Sequence, residues 1–135
     1  MKYVTSVNYA IKVNGCPMGS ITPSRGIRQG DPLSPYLFFL CAEGLSSLIK
    51  ASVANGGLKG ISVCTEGLEL SHLFFADDNL IFCRASMEDC DELQTVLGVY
   101  ERASGQQLNR AKTSLFFSKN TPREIQGEIQ RNFGA

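Results

Sequence analysis

Two adjacent carboxylates, Asp77 and Asp78, lie between apolar segments and are the residues of this chain best suited to chemistry. The flanking residues 72–75 (HLFF) and 80–83 (LIFC) favour β-structure, so the pattern predicts a tight hairpin with both carboxylates at its tip. Neighbouring carboxylates repel each other unless water or a cation compensates. Mg²⁺ is commonly held by one or two carboxylates plus substrate phosphates. The pattern raises the hypothesis of metal-assisted phosphoryl transfer; the alternative is an ordinary turn, in which Asp is common.

A second segment, residues 25–35 (RGIRQGDPLSP), covers most of a predicted loop rich in Gly and Pro, residues 22–33, and the start of a helix. Ser34-Pro35 is typical of a helix start, because serine caps the first turn and proline fits the first helical position. The helix is predicted to run to about Val53 and to end at residues 55–57 (NGG). Apolar residues cover much of its circumference, so we expect it to be largely buried.

The remaining elements are read from periodicity and turn signals. We predict a strand over residues 7–13, a turn at Asn14-Gly15, a strand near Ile21, and short strands at 61–64 and 114–118. Strands and helices alternate irregularly around one or two hairpins, which indicates an α+β fold with an antiparallel sheet and helices packed on one face.

Two further helices are predicted. Ser86 with Asp89 resembles a capping box, and Gly105 is expected to end that helix. The acidic residues at its start are interpreted as a solvated face that favours the helix dipole; they are Glu88, Asp89, Asp91 and Glu92. Residues 121–124 (TPRE) predict a third helix, capped by Thr121, which we expect to continue past residue 135.

The composition limits the classes of function. The 135 residues include 13 basic and 13 acidic residues, and a nucleic-acid binder that works alone is usually more basic. The charge is unevenly distributed: six basic and two acidic residues in 1–65, one and nine in 66–101, six and two in 102–135. Basic flanks around an acidic centre would suit a metal site beside a polyanion.

The cysteines and the apolar segments lead to expectations about location. Five cysteines without a Cys-x-x-Cys pair, and a single histidine, disfavour a zinc site. We expect reduced, mostly buried thiols in an intracellular protein that is not secreted, with nucleus or cytoplasm left open. No apolar run is expected to span a membrane.

Three blocks together resemble the reverse transcriptases of non-LTR (LINE-type) retrotransposons, most closely those of plant lineages. They are residues 25–35, the tetrapeptide Phe75-Ala76-Asp77-Asp78, and residues 104–114 (SGQQLNRAKTS). The resemblance covers nearly the whole chain. It implies an RNA-directed DNA polymerase with a right-hand fold, of which residues 1–135 would be a partial domain: most of the palm and a little of the fingers.

The resemblance also implies roles for individual residues. Asp77 would bind metal in a two-metal site, with Asp78 as its less direct neighbour. The cofactor would be Mg²⁺, or alternatively Mn²⁺, and the partners would be an RNA template, a DNA primer and dNTPs. Gln29 and Gly30 would border the incoming nucleotide and template, with Gly30 allowing close backbone approach.

Each basic residue near the predicted site has two possible roles. Arg25 and Arg28 would lie near phosphates, or else form a salt bridge or face solvent. Lys112 would lie near the pyrophosphate as a proton donor, or else be a surface lysine. His72 alternates with apolar residues of the hairpin and is interpreted as structural.

One departure from the family pattern limits the expected activity. The family has a further metal-binding aspartate on an upstream strand, and no aspartate precedes Asp31 in this chain. The upstream strand and the thumb are expected to be absent, so we predict that the 135-residue chain alone does not synthesise DNA. Exposed palm surface would then favour self-association.

Two other functions stay open. The first is a non-catalytic remnant that binds nucleic acid or a partner through its basic C-terminal block. The second is an unrelated small metal-dependent phosphotransferase, which would need more acidic or histidine ligands near the hairpin.

Overall fold

The computed structural model describes residues 8–23, 30–63, 67–76 and 78–134. Contacts group the chain into two compact units, residues 1–39 and 40–135, which are described separately. The described elements are β1 (Tyr9–Val13), β2 (Cys16–Ile21), α1 (Ser34–Ala54), β3 (Ile61–Ser62), β4 (Glu69–Leu70), β5 (His72–Phe75), β6 (Asp78–Ile81), α2 (Met87–Ser104) and α3 (Arg123–Phe133).

The first unit contains the hairpin β1–β2 and the start of α1. The antiparallel register pairs Val13 with Cys16, which leaves Asn14 and Gly15 as the turn. Both turn residues have positive φ, 50° and 83°, as a two-residue hairpin turn with the favoured twist requires. The predicted strand pair is confirmed, and every described residue of this hairpin is exposed.

Helix α1 begins at Ser34, one residue before the first helical position predicted at Pro35. The side chain of Asp31 accepts a hydrogen bond from the backbone N–H of Leu33 at 2.8 Å. The carbonyl of Asp31 accepts another from the N–H of Ser34 at 3.0 Å. Asp31 therefore shapes the entry to this helix, because the first backbone N–H groups of a helix lack partners within it.

The hydrophobic core of the second unit is built from α1, α2, α3 and the segment after α1. Its members recur at helical spacing, which places them on one face of each helix. They are Leu45, Ile49, Leu58, Cys90, Leu93, Val96, Ile129 and Phe133. Cys90, Leu93 and Val96 therefore place one face of α2 in this core.

The prediction that α1 is largely buried is wrong for its first half. Only Leu45, Ser46, Ile49 and Ser52 are buried along this helix. Tyr36, Phe39 and Leu40 are each 69% exposed. Its apolar residues encircle the helix, and among the described residues only those from Leu45 onward are buried.

The expectation that no segment could span a membrane also needs correction. Helix α1 is long and apolar enough to do so by length and composition alone. A mostly buried core helix and a signal sequence pass the same test; α1 lies near the N-terminus, and its residues Leu45 and Ile49 lie in the core. The charged residues Glu43 and Lys50 lie within the same helix.

Residues 113–118 have no regular secondary structure, so the strand predicted over 114–118 is wrong. Leu115 and Phe117 pack against the core, while Phe116 between them is 90% exposed. Half-buried and exposed side chains therefore alternate along this segment as they would in a strand. A strand also needs a hydrogen-bonding neighbour, and none of the described strands pairs with this segment.

Helix α3 differs from the prediction at both ends. It begins after Pro122 without a side-chain cap, so the Thr121 cap is wrong. It ends at Phe133, because Gly134 adopts φ 69° and its N–H bonds to the carbonyl of Gln130. The expected continuation past residue 135 is therefore wrong as well.

The described strands form three separate two-stranded antiparallel sheets: β1–β2, β3–β4 and β5–β6. The α+β class is confirmed, but the single continuous sheet is not found among the described residues. Strands β3 and β4 have only two residues each, shorter than the roughly 3–10 residues usual for a strand.

The cysteines of the described segments are free thiols, with Cys90 buried, Cys41 and Cys83 half-buried and Cys16 exposed. Burial raises the pKa of the Cys83 thiol to about 11, which keeps it protonated and unreactive near neutral pH. Cys64 lies outside the described residues.

Candidate functional site

The hairpin β5–β6 is the element that carries the predicted carboxylates. Its register pairs His72 with Ile81 and Phe75 with Asp78, so two residues separate the strands. Asp78 opens the second strand instead of lying at the tip, and that strand begins two residues earlier than predicted. Ala76 has φ 51°, a left-handed conformation that costs a residue with a Cβ about 1–2 kcal/mol.

The two faces of this hairpin have different surroundings. Phe74 and Ile81, on one face, pack against the core. The cross-strand pairs Leu73–Leu80 and Phe75–Asp78 form the other face, on which Leu73, Phe75 and Leu80 are 51%, 83% and 54% exposed. Asp78 therefore lies on an exposed and otherwise apolar face, because residues at alternate positions of a strand share a face.

Asp78 is suited to hold a hard cation by its chemistry. Its side chain is exposed, and no hydrogen bond or ion pair joins it to another residue of the described segments. Carboxylate oxygens are the ligands that Mg²⁺ prefers. The described segments contain no cluster of three or more His, Cys, Asp or Glu side chains, and Asp77 lies outside them. Asp78 thus supplies one suitable ligand.

The base of the hairpin is attached to helix α1 through His72. Its Nε2 lies 2.9 Å from Ser46 Oγ and its Nδ1 lies 2.9 Å from Ser71 Oγ. Partial burial and the charge of Lys50 lower the pKa of His72, which favours the neutral ring. The Phe82 N–H donates to the Ser71 carbonyl at 2.8 Å and extends the pairing past β6. These contacts agree with a structural role for His72.

Asp89 lies at the other attachment of the hairpin. It is fully buried, at 0% exposure. Its Oδ1 accepts hydrogen bonds from Ser86 Oγ and from Arg84 Nη2 and Nε. Its Oδ2 accepts from the backbone N–H groups of Lys59 and Arg84, at 3.0 and 3.3 Å. The solvated-face interpretation is therefore wrong for Asp89.

The environment of Asp89 favours the charged carboxylate. Burial alone raises its pKa, but hydrogen bonds from Arg84, from the Lys59 N–H and from Ser86 lower the pKa by more. The predicted cap is present, since Ser86 Oγ accepts from the Asp89 N–H. The sequence signal that was missed is Arg84, five residues before Asp89 and directly after the hairpin.

A second acidic residue of α2 also has a partner. Glu92 Oε1 accepts a hydrogen bond from Ser52 Oγ of α1 at 2.6 Å. A Cβ added to Gly57 would lie only 2.8 Å from the same oxygen. Glu92 therefore helps to pack α1 against α2 and does not simply face solvent.

Comparison with known families decides the identity of the chain. The family described as reverse transcriptase (RNA-dependent DNA polymerase) matches residues 1–128. The chain belongs to this family. The resemblance stated from the three sequence blocks is confirmed, and Asp78 lies in one of those blocks.

Two curated relatives are similar to the chain, and one of them, from a retrotransposable element, supports the retrotransposon type. The reverse transcriptase chain is 56% identical over 66 residues to an uncharacterized mitochondrial protein of Arabidopsis thaliana, covering 49% of this chain and 54% of that protein. It is 31% identical over 112 residues to the retrovirus-related Pol polyprotein from type-1 retrotransposable element R2 of Popillia japonica, covering 83% of this chain and 17% of the polyprotein. The chain thus matches about half of the first relative and under a fifth of the second. No solved structure matches it significantly.

The other predicted site residues are placed as follows. Gly30 belongs to the first unit and has φ 81°. An added Cβ there would meet nothing within 4 Å, so the need for glycine within the chain is conformational, not steric. Its approach to a nucleotide stays a prediction. Arg25, Arg28, Gln29 and Asp77 lie outside the described residues.

Lys112 ends the short 3₁₀ turn Arg110–Lys112 and is exposed. No hydrogen bond or ion pair between described residues joins it to the hairpin β5–β6. The neighbouring Arg110 donates from Nη1 to the carbonyl of Phe133 at 3.1 Å, at the end of α3. The pyrophosphate role of Lys112 therefore stays a prediction.

Proposed function

We propose that this chain is the part of a non-LTR retrotransposon reverse transcriptase that carries the metal-binding hairpin. In the intact parent it would act in RNA-directed DNA synthesis, with an RNA template, a DNA primer and dNTPs. One observation carries the proposal: Asp78 is an exposed carboxylate at the first position of β6, beside the turn of a hairpin whose other face is packed. The family match and the R2 relative support it.

The chemistry follows from the position of the carboxylates. Asp77 and Asp78 would hold a divalent cation, which we propose to be Mg²⁺ or Mn²⁺. The bound cation would lower the pKa of the primer 3′ hydroxyl and stabilise the pyrophosphate leaving group. Asp78 presents acceptor oxygens on the exposed face, where a primer end and a nucleotide can reach them. Arg25 and Arg28 would bind phosphates, and Lys112 would donate a proton to the pyrophosphate.

The architecture we propose is most of a polymerase palm with a little of the fingers. The hairpin β5–β6 and the helices beneath it would be the palm portion. The strand with the additional metal-binding aspartate would come from elsewhere in the parent. On this proposal the 135-residue chain expressed alone does not extend a primer.

The test is primer extension on an RNA template with Mg²⁺ and with Mn²⁺. The complete reading frame around this sequence would be recovered from the transcript and expressed, alongside the 135-residue chain. We expect extension by the parent, its loss in Asp78→Asn, and its retention in the charge-matched control Glu88→Gln. Robust extension by the 135-residue chain, abolished by Asp77→Asn, would falsify the proposal that the site needs an additional aspartate from elsewhere in the intact protein. Undiminished extension by the Asp78→Asn parent would contradict the metal role.

A second candidate is a non-catalytic remnant that binds nucleic acid. Six basic side chains in residues 102–135 are all exposed, and they are Arg102, Arg110, Lys112, Lys119, Arg123 and Arg131. Binding through them should weaken steeply with salt, since phosphate contacts release counterions. Affinity for a primer–template duplex measured between about 50 and 200 mM salt tests this candidate. Salt-insensitive binding, or none, counts against it.

A further inference from the structure

The carboxylate of Asp89 joins two parts of the chain that are separate in the sequence. They are the backbone at Lys59 after α1, and the linker between β6 and α2, which contains both Arg84 and Ser86. We call Asp89 with these partners the Asp89 clamp. The residues between Asp78 and Arg84 connect the clamp directly to the strand that carries the exposed carboxylate.

The clamp is specific in its geometry. Arg84 donates twice from its guanidinium to Oδ1, at 2.8 and 3.2 Å, and once from its backbone to Oδ2. Asp89 is fully buried, while the Arg84 side chain is 58% exposed. A buried carboxylate that loses its donors is costly, and a planar guanidinium fork accepts a narrow range of orientations. The clamp therefore restrains the linker that leads from β6 to α2.

The hairpin is also held at its entry, where His72 lies 2.9 Å from Ser46 of α1. Both attachments are at the base, and Asp78 is three residues from the base residue Ile81 along β6. At about 3.3 Å per residue the carboxylate lies about 10 Å from the base, so a tilt of about 10° would move it by roughly 2 Å. A functional site tolerates displacements of only about 0.5 Å.

We propose that Asp89 is a positioning residue of this reverse transcriptase: through Arg84 and the Lys59 backbone it fixes the orientation of the hairpin that presents Asp78. The inference rests on the proposed function only in assigning metal binding to the hairpin. Asp89 itself touches neither metal nor substrate. Its role is to set where the ligand oxygens lie.

The test compares Asp89→Asn with Glu88→Gln in the 135-residue chain. Each substitution removes one negative charge from the first turn of α2, but Glu88 is exposed and outside the clamp. Amide hydrogen exchange would be followed at Phe82, at the hairpin base, and at Ile49 and Val96 in the core. Mn²⁺-induced broadening of amides near Asp78 would be recorded on the same samples.

We expect exchange at Phe82 to rise about tenfold in Asp89→Asn, since a hydrogen bond to a charged group is worth about that factor or more. Exchange at Ile49 and Val96 should stay within about threefold, and apparent Mn²⁺ affinity at the hairpin should fall. Glu88→Gln should resemble the unsubstituted 135-residue chain in both amide exchange and Mn²⁺ broadening. Equal acceleration at all three amides would show that Asp89 contributes only to the overall stability of the chain, and would overturn the proposal. Unchanged exchange at Phe82 would overturn it as well.

A second variant keeps the test decisive if Asp89→Asn does not fold. Arg84→Lys keeps the positive charge but cannot make both guanidinium contacts. It should show the same local pattern with smaller amplitude, and unchanged exchange at Phe82 would overturn the proposal. If the parent sequence shows no Mn²⁺ broadening at the hairpin, the metal assignment fails, while exchange at Phe82 still decides the role of Asp89.

Discussion

The hairpins β1–β2 and β5–β6 have similar local chemistry but different surroundings. Both are antiparallel and have left-handed residues in their turns, Asn14 and Gly15 in one and Ala76 in the other. Every residue of β1–β2 is exposed, whereas Phe74 and Ile81 of β5–β6 pack against the core. Turn residues and alternation are enough to form a hairpin. Packing and the contacts at its base determine where the hairpin points, since an isolated hairpin is only marginally stable.

The largest expected difference between the two regions is in the core beneath β5–β6. Ile49 is 0% exposed and Ile11 of β1 is 57% exposed. We expect Ile49→Ala to lower the free energy of unfolding by about 3 kcal/mol, and Ile11→Ala to change it by less than about 0.5 kcal/mol. Denaturant titration of both variants measures this. Equal losses would contradict the comparison.

The next effect is the pH dependence of the Asp89 clamp, for which β1–β2 has no counterpart among its described contacts. The pKa of Asp89 is lower in the folded chain than in the unfolded chain. Its contribution to stability is therefore full above the unfolded pKa, about 3.9, and is lost as pH falls through the lower folded pKa. Acid unfolding of Asp89→Asn should be less steep than that of the unsubstituted 135-residue chain. Superimposable acid profiles would show that Asp89 titrates alike in both states.

A smaller contrast concerns one side chain in each hairpin. Phe74 is half-buried against the core and Met18 of β2 is 60% exposed. Truncating Phe74 to alanine should cost about 1–2 kcal/mol, in proportion to the apolar area it buries. Truncating Met18 should cost less than about 0.5 kcal/mol. Thermal unfolding at matched pH compares them, and a larger loss for Met18 would reverse the assignment of the packed hairpin.

The smallest contrast is between the turns. Ala76 has φ 51°, a left-handed conformation that is strained for a residue with a Cβ. Asn14 has φ 50°, but asparagine tolerates the left-handed conformation. Ala76→Gly should raise the free energy of unfolding by about 0.5 kcal/mol, and Asn14→Ala should lower it by a similar amount. Denaturant midpoints would resolve the two opposite signs. Shifts in the same direction would contradict the turn geometry.

Local signals in the sequence predicted the elements well but not their environments. The Asn14-Gly15 turn, the start of α1 at Ser34, and the Ser86 and Gly105 ends of α2 follow from residues adjacent in the chain. The burial of Asp89 did not, because its partners include the backbone of Lys59, thirty residues earlier. Likewise, segment 113–118 shows strand alternation, but alternation cannot say whether a pairing partner exists.

For the candidate site, too, the sequence predicted the local element but not its contacts with the rest of the chain. The hairpin and its carboxylates could be read from Phe75-Ala76-Asp77-Asp78, since apolar arms around a polar centre are a local pattern. The register that places Asp78 in β6 depends on which residues pair across the turn. Because of this register, β6 begins two residues earlier than predicted. The attachments of the hairpin through His72 and Arg84 reach other elements and were outside any local pattern.

The most direct test of the central claim is Mn²⁺-induced broadening of amide resonances in the 135-residue chain. The parent sequence would be compared with Asp78→Asn and with Asp91→Asn, an equal charge change at an exposed residue of α2. We predict broadening centred on Asp78 and Asn79, abolished by Asp78→Asn and retained in Asp91→Asn. Broadening centred on the acidic start of α2, or unchanged in Asp78→Asn, would contradict the assignment of the hairpin as the metal-binding element.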